Sequence, residues 1–418
     1  MSAIILSIGD ELVSGLTVNT NATWLSQQLS AIGISTLRQV TVGDDQNAIA
    51  AAIREGCGQC RLLLISGGLG PTLDDVTRDA LAAAMGDALV EDAAAITGLE
   101  AFFKRIHRPM APSNRRQVLR PQTGQCIPNS CGTAPGILAS VGQTDIFVVP
   151  GVPREMQAMF TESILPRLGP HSGNSVMRTY RLNTFGIGES LIGQRIADLM
   201  ERGANPSIGT TVHEGVVSVR IYARGSPAQA DAMVKEARGK IIERLGNAIF
   251  SEQDQTLEES LAGLLHQHGS TLAVAESCTG GLLAEMLTRV PGASKYFQRG
   301  WVTYSDQSKI DELGIEPELL QTHGAVSEPV ALAMAQGALA RSGSQWALSV
   351  TGIAGPDGGT ADKPVGLVYI GLAGPAGTIV RRQIFTGDRG GIRRRSAQMA
   401  MTILRLTLQG LNPDTVLA

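Results

Sequence analysis

Apolar positions along this chain recur with two periods, one of two residues and one near 3.6, and the two alternate from end to end. Residues 3–8 form a short apolar run that predicts a buried strand ending at Gly9-Asp10-Glu11. Asn19 and Thr20 stand where a helix cap belongs. Trp24, Leu25, Gln28, Leu29 and Ile32 continue at helical spacing, so a helix is expected through Ala31. A second strand (Ser35–Val42) and helix (Gln46–Glu55) follow. A third strand, Arg61–Ile65, leads into Ser66-Gly-Gly-Leu-Gly-Pro-Thr72, with the next helix expected from about Asp74. Asp145–Val149 and Pro153–Leu165 repeat the alternation. Strands alternating with amphipathic helices predict an α/β fold, a parallel sheet with helices on both faces.

The pattern breaks at Pro166, Pro170 and His171-Ser-Gly-Asn174, which read as a linker. From Arg178 to about Phe250 a small α+β module is expected: strand, helix (Glu189–Met200), strand (Val216–Ala223) and helix (Pro227–Leu245). A third unit starts near Gln253, where Thr256 caps a helix through His266. A strand, a helix, a second strand and further helices follow. Strands at Trp346–Val350, Leu367–Leu372 and Thr378–Phe385 and a long last helix from Asp388 complete a second α/β domain. The expected domains are 1–169, 175–250 and 254–415.

Composition narrows the function classes. The 418 residues carry 17% charged side chains and 49 glycines, against ~25% charged and ~7% glycine in ordinary globular chains. Abundant glycine suits folds with many strand-to-helix turns where backbone meets ligand. A net charge of −3 supplies no attraction for nucleic acid or an anionic membrane, so neither is an expected partner. No apolar run approaches the ~20 residues of a membrane span, and residues 2–8 are too short for a signal peptide. A cytoplasmic protein is expected. Cys57 and Cys60 have redox spacing, and Cys126 and Cys131 invite a zinc reading, but the pairs lie far apart and read better as small buried residues.

Chemistry concentrates in the last third. Residues 275–281 read Ala-Glu-Ser-Cys-Thr-Gly-Gly after the apolar run to Val274: a strand, then a tight turn carrying a hydroxyl beside backbone N–H groups. Attack on an amide needs that pairing. The amides of Thr279, Gly280 and Gly281, at a helix N-terminus, are candidates to accept a phosphate or a developing oxyanion. The alternative is that Ser277 and Thr279 only cap the helix. No histidine offers a base: His266 and His268 face different sides of their helix, and His323 reads as a turn residue. Lys309 is then the base of a serine–lysine dyad, provided burial lowers its pKa, and Tyr304 is the proton relay or donor. Alone, Lys309 reads as a solvated helix start and Tyr304 as a core strand residue. Cys278 ranks behind Ser277, because a thiol needs an activating base that is not evident. The run Gly352-Ile-Ala-Gly355-Pro-Asp357-Gly-Gly359 is a ligand loop or a long irregular turn, and no Walker motif is present. Arg389 and Arg393 share a face of the last helix, next to Arg394; they reach a phosphate or form a solvated basic face.

A second candidate lies near the front. Gly67, Gly68, Gly70 and Thr72 form a turn after a strand whose N–H groups can cradle a phosphate or diphosphate. Asp74, Asp75 and Asp79 open the following helix, and with Asp10 they are candidates to hold Mg²⁺ against a diphosphate. Acidic residues also favour any helix's first turn.

The ordered motifs AESCTGG, GWVTYSDQSK, HGAVSEP, SVTGIAGPDGG, KPVG and FTGDR, spanning roughly 256–415, resemble the C-terminal domain of the CinA family, the nicotinamide mononucleotide deamidases. The resemblance implies hydrolysis of the nicotinamide mononucleotide carboxamide to nicotinic acid mononucleotide and ammonia, in NAD recycling, without a cofactor. Cys278, Thr279, Gly280, Gly281, Gly352, Gly355, Asp357, Arg389 and Arg393 would then contact the substrate. Ile8-Gly-Asp-Glu-Leu12, Asn19-Thr-Asn21, SGGLGPTLDD and Pro150-Gly-Val-Pro-Arg154-Glu155-Met156 resemble the molybdopterin-binding-like domain at the front of CinA proteins. That domain is associated with ADP-ribose pyrophosphatase activity needing a divalent metal such as Mg²⁺, and with K⁺. Arg154 and Glu155 would join the nucleotide contacts. Asp10 stands where many members have threonine. A homodimer is the implied assembly. The rival readings are molybdenum-cofactor binding by the front domain, or an accessory role in competence or DNA-damage response without catalysis.

Overall fold

The computed structural model describes residues 2–169 and 176–413. Pro170 and residues 171–174 of the expected linker lie outside them, whereas Pro166 belongs to the helix Leu165–Leu168. The chain separates into two compact units, residues 1–178 with 224–232, and residues 179–223 with 233–418.

The strands are β1 (Ser2–Ile8), β2 (Ser35–Val42), β3 (Leu62–Ser66), β4 (Leu89–Glu91), β5 (Leu119–Pro121), β6 (Gln125–Ile127), β7 (Gly136–Val141) and β8 (Thr144–Val149) in the first unit. Six of them form one sheet in the order β2-β1-β3-β8-β7-β6. β2, β1, β3 and β8 run parallel, because helices Thr20–Ala31 and Gln46–Cys57 carry the chain back between strands. β7 and β6 run antiparallel, so the sheet is mixed rather than wholly parallel. The link between β7 and β8, Gly142-Gln143, is too short for a crossover. Alternate residues of β1 face opposite cores. Ile4, Leu6 and Ile8 pack with Ile49, Ile53 and Leu63, while Ala3 and Ile5 pack with Leu25, Leu29 and Phe160. Burial on both faces explains why β1 and β3 read as unbroken apolar runs.

The helix expected from Asp74 starts at Thr77. Asp75 instead accepts from the N–H groups of Gly70 (2.7 Å) and Thr72 (2.9 Å), which fixes the residues before it as a turn.

In the second unit, β9 (Val176–Thr184), β10 (Ser207–His213), β11 (Val216–Gly225) and β12 (Ile249–Ser251) form a sheet ordered β10-β11-β9-β12. β10 is absent from the sequence expectation. It is an edge strand with three exposed residues in its second half, so it carries no clear apolar alternation. The helix expected over Glu189–Met200 ends at Arg195 and gives way to a 3-10 turn, Ala197–Leu199.

The last sheet joins β13 (Leu272–Glu276), β14 (Phe297–Val302), β15 (Trp346–Gly352), β16 (Leu367–Gly374) and β17 (Gly377–Ile384) in the order β14-β13-β15-β16-β17. The first three are parallel and the last two antiparallel. Thr256 and Glu259 form a capping box on helix Leu257–His268, and Asp388 caps the final helix, Arg389–Leu408. Helix Asp306–Leu313 rests on helix Glu328–Ser342 at Gly337, where a Cβ would lie 2.2 Å from the Leu313 carbonyl oxygen. Gly337→Ala is therefore expected to destabilise this unit by about 1–3 kcal/mol, measured by urea denaturation, despite alanine's better helix propensity.

Candidate active site

Ser277 stands at the carboxyl end of β13, the central strand of the parallel set, with β14 and β15 on either side. The chain leaves β13 toward one neighbour and returns on the other, and ligands in open α/β sheets bind at that kind of switch point. The Ser277 N–H donates to Val350 O (2.9 Å), which ties the turn to β15. Gly280 and Gly281 take φ of 57° and 90°, in the left-handed region that suits glycine.

Helix Asp306–Leu313 delivers Lys309 to the same turn. Its side chain is 0% exposed, and Nζ lies 2.8 Å from Thr303 O and 3.3 Å from Ser277 Oγ. Burial pushes the Lys309 amine below its ordinary value, partly opposed by Asp306 and Cys278. The same burial pushes the Cys278 thiol up to about 12, and it is 5% exposed. A thiol so placed holds almost no thiolate at neutral pH.

The last helix closes the other side. Arg393 donates from Nε (3.1 Å) and an Nη atom (2.6 Å) to Thr279 O. Arg389 donates to Gly355 O (2.7 Å) and to the exposed Tyr304 hydroxyl (2.9 Å). Ser277, Thr279, Lys309, Tyr304, Gly355, Arg389 and Arg393 thus converge from four segments. Arg394 is directed elsewhere, pairing with Glu214 at 2.8 Å. Gly352 lies within β15, where a Cβ would lie 2.7 Å from Leu367 O, so the strand packing requires glycine there, and Asp357 stays exposed in its loop.

Glu276 corrects the expectation for the turn amides. Its carboxylate is 0% exposed and accepts from the N–H groups of Gly281 (3.0 Å), Leu283 (3.0 Å) and Ala284 (2.8 Å). Gly280 N–H donates back to Ser277 O (3.1 Å). The N-terminus of helix Leu282–Thr288 is therefore filled by the chain's own carboxylate and offers no room for a substrate phosphate. Of the expected anion contacts, Arg389 and Arg393 stand at the turn through their bonds to Gly355 O and Thr279 O. Sequence reasoning passed over Glu276. The signal was an acidic residue closing an otherwise apolar strand, where a buried charge needs partners.

In the first unit, Gly67, Gly68, Gly70, Glu155, Asp74 and Asp75 line a cavity of about 430 Å³ at the carboxyl ends of the parallel strands. Arg78, 1% exposed, holds the glycine turn by donating to Leu69 O (2.5 Å) and Gly70 O (3.3 Å). Thr72 and the exposed Arg154 are not among the residues lining the cavity. Asp79 pairs with Arg116 at 2.6 Å and is not among the residues lining the cavity, whereas Asp75 lines it while accepting from its own turn. Asp10 is tied to Asp44: each backbone N–H donates to the other's carboxylate, at 2.9 and 3.1 Å. Asp44, passed over in the sequence, lines the cavity with Glu11. Its pKa is raised, first by burial and then by repulsion from Asp10, Glu11 and Asp74. Among the described residues, no three His, Cys, Asp or Glu side chains are placed to share a metal ion.

Comparison with known proteins agrees with this layout. Residues 254–408 match the profile described as CinA C-terminal domain, 4–170 a probable molybdopterin binding domain, and 179–251 the damage-inducible protein CinA KH domain. A putative competence-damage inducible protein of Symbiobacterium thermophilum is 41% identical over 98% of this chain and 99% of its own. The chain belongs to the CinA family. A CinA-like protein of Geobacter sulfurreducens is 43% identical, again over 98% of this chain and 99% of that one. Among solved structures, the competence/damage inducible protein CihA of Agrobacterium tumefaciens is 41% identical. It covers 37% of this chain and 97% of its own, with a TM-score of 0.35. The two α/β domains of this CinA family member therefore flank a small KH module, and the described residues include no helix long and apolar enough to cross a membrane.

Glu276→Gln would turn an amide NH₂ toward one of the three N–H donors. It is expected to cost about 1–3 kcal/mol of stability, read by urea denaturation. Iodoacetamide at neutral pH should modify exposed Cys131 and spare Cys278 in the folded protein, as mass spectrometry would report.

Proposed function

We propose that the C-terminal domain of this CinA family member hydrolyses the carboxamide of nicotinamide mononucleotide to nicotinic acid mononucleotide and ammonia. The observation that carries this reading is the buried Lys309 amine, its pKa lowered by desolvation, 3.3 Å from Ser277 Oγ. In its neutral form the amine accepts the Ser277 proton as Oγ attacks the carboxamide carbon. The backbone N–H groups of the turn at Cys278 and Thr279 are the candidate donors to the oxyanion. As the tetrahedral intermediate collapses, the ammonium of Lys309 gives its proton to the departing NH₂ group, directly or through the Tyr304 hydroxyl, so that ammonia leaves and Lys309 is neutral again. Lys309 then takes a proton from water as the water attacks the Ser277 ester, and returns it to Ser277 Oγ as the acid is released. The electron-withdrawing pyridinium makes the carboxamide a better electrophile, and Arg389 and Arg393 suit the substrate phosphate.

For the N-terminal domain we propose hydrolysis of the diphosphate bond of ADP-ribose, giving AMP and ribose 5-phosphate. The cavity at the strand ends and its glycine turn support this reading. The residues alone make no metal cage. A divalent ion fits only together with a diphosphate, facing Asp44 and Asp74, since Mg²⁺ is commonly held by one or two carboxylates plus phosphate oxygens. There it would neutralise diphosphate charge.

Ser277→Ala should lower ammonia release from nicotinamide mononucleotide by about 10³-fold or more, and Lys309→Met by about 10²–10⁴-fold. Cys278→Ser should stay within about twofold, given its thiol near 12. Normal ammonia release by Ser277→Ala would remove the proposal. Because the base must be neutral, kcat should rise with pH to a midpoint below the 10.5 of an unperturbed lysine. A pH-independent rate across that limb would exclude Lys309 as the base.

A further inference from the structure

A second cavity in the first unit, of about 560 Å³, is framed by helix Ala93–Arg105 and the segment from Gln125 to Pro135. Its walls include Leu99, Phe102, Pro128 and Pro135, together with Arg105 and Arg120. Its size and largely apolar lining with a few polar groups are those of a small-molecule site. The arginines do not make it a phosphate site. Arg120 is already engaged by Asp92 (2.8 Å) and by the carbonyls of Pro121 (3.1 Å) and Gln122 (2.9 Å), and the Arg105 guanidinium lies 5.1 Å from the Phe102 ring centre. Flat, uncharged aromatic groups suit such walls.

This cavity adjoins the one at the strand ends. Thr133 lines both, and its hydroxyl accepts from Gln117 Nε2 at 3.1 Å. Next to it, Gly132 approaches the Glu155 carboxylate so closely that a Cβ would lie 2.2 Å from it. Asn129 pins this partition, donating to Glu155 (2.6 Å) and accepting from the N–H groups of Cys131 (3.0 Å) and Gly132 (2.9 Å). Two cavities of contrasting chemistry therefore share Thr133 as a lining residue.

Gly98 sits inside helix Ala93–Arg105 and lines the cavity, and a Cβ there would meet nothing within 4 Å, so a larger side chain at this position projects into the cavity without displacing the chain.

We infer that the larger cavity takes the nucleoside end, base and ribose, of a nucleoside diphosphate compound whose diphosphate lies in the adjoining cavity beside the glycine turn. This rests on the diphosphatase reading proposed above and supplies its specificity for the base. Gly98→Phe would fill the cavity, and because it projects into open space the folded unit should melt no lower than wild type. AMP binding by calorimetry, and ADP-ribose hydrolysis, should then show an AMP Kd and an ADP-ribose KM at least tenfold higher with kcat little changed. Ala101→Phe, one turn on, should do the same. Wild-type AMP binding that both variants abolish, without ADP-ribose cleavage by any of the three proteins, would uphold the cavity and sink the diphosphatase reading. Cleavage with an unchanged KM in both variants would overturn the cavity while leaving that reading intact. Failure of the wild type to bind AMP, or a change of oligomeric state in the variants with AMP affinity untouched, would likewise overturn it, the latter assigning the groove to a second copy of the chain.

Discussion

A carboxylate with no exposure to water, at the end of the central strand of a sheet, is stable only if its oxygens are fully hydrogen-bonded. Glu276 meets that condition with three N–H donors of one turn and helix. Its backbone meets a second condition: the Glu276 carbonyl accepts from Thr303 N–H at 2.8 Å, and Thr303 O in turn accepts from Lys309. One residue thus anchors both partners of the proposed dyad, the turn that bears Ser277 and the carbonyl that holds the Lys309 amine. The placement of Ser277 relative to Lys309 follows from that anchor, together with the 3.3 Å contact between Lys309 Nζ and Ser277 Oγ.

The burial that lowers the Lys309 pKa and raises that of Cys278 is one effect acting on two groups of opposite charge type. Desolvation disfavours whichever form is ionised, so it lowers the pKa of the amine and raises that of the thiol together. Both shifts act in the direction that the proposed chemistry needs: they make Lys309 a better proton acceptor at neutral pH and hold Cys278 as a thiol, so one apolar enclosure favours Ser277 over Cys278 as the proposed nucleophile.

Both α/β domains place their candidate chemistry by the same geometry. In each, the chain starts in an inner strand, steps to one side and then to the other, and the loops at the carboxyl ends of the parted strands face a common crevice. In the first domain this brings the turns after β1, β2 and β3 together, which is why Asp44 joins Glu11 and Asp74 although the three are spread along the chain. Strand order is not written in local periodicity, and that is why Asp44 was not legible beforehand. The expectation placed Asp79 with Asp75 at the start of one helix. The helix instead begins two residues after Asp75, and Arg116, from a distant segment, claims Asp79.

Elements and motif positions needed only local physics. Asn19, Thr256 and Asp388 cap the helices they precede because a short polar side chain satisfies an orphan N–H within its own turn. The turn of Ser277 and the glycine turn after β3 were readable for the same reason. What the tertiary structure alone decided is which groups are dry and which meet. Lys309 is solvated or buried according to how helix Asp306–Leu313 packs on its neighbour at Gly337, and the helix N-terminus that looked open to a phosphate is closed by a carboxylate from the preceding strand. Burial and long-range pairing depend on the whole packed unit, so the chemical character of these side chains came with the fold and not with the sequence around them.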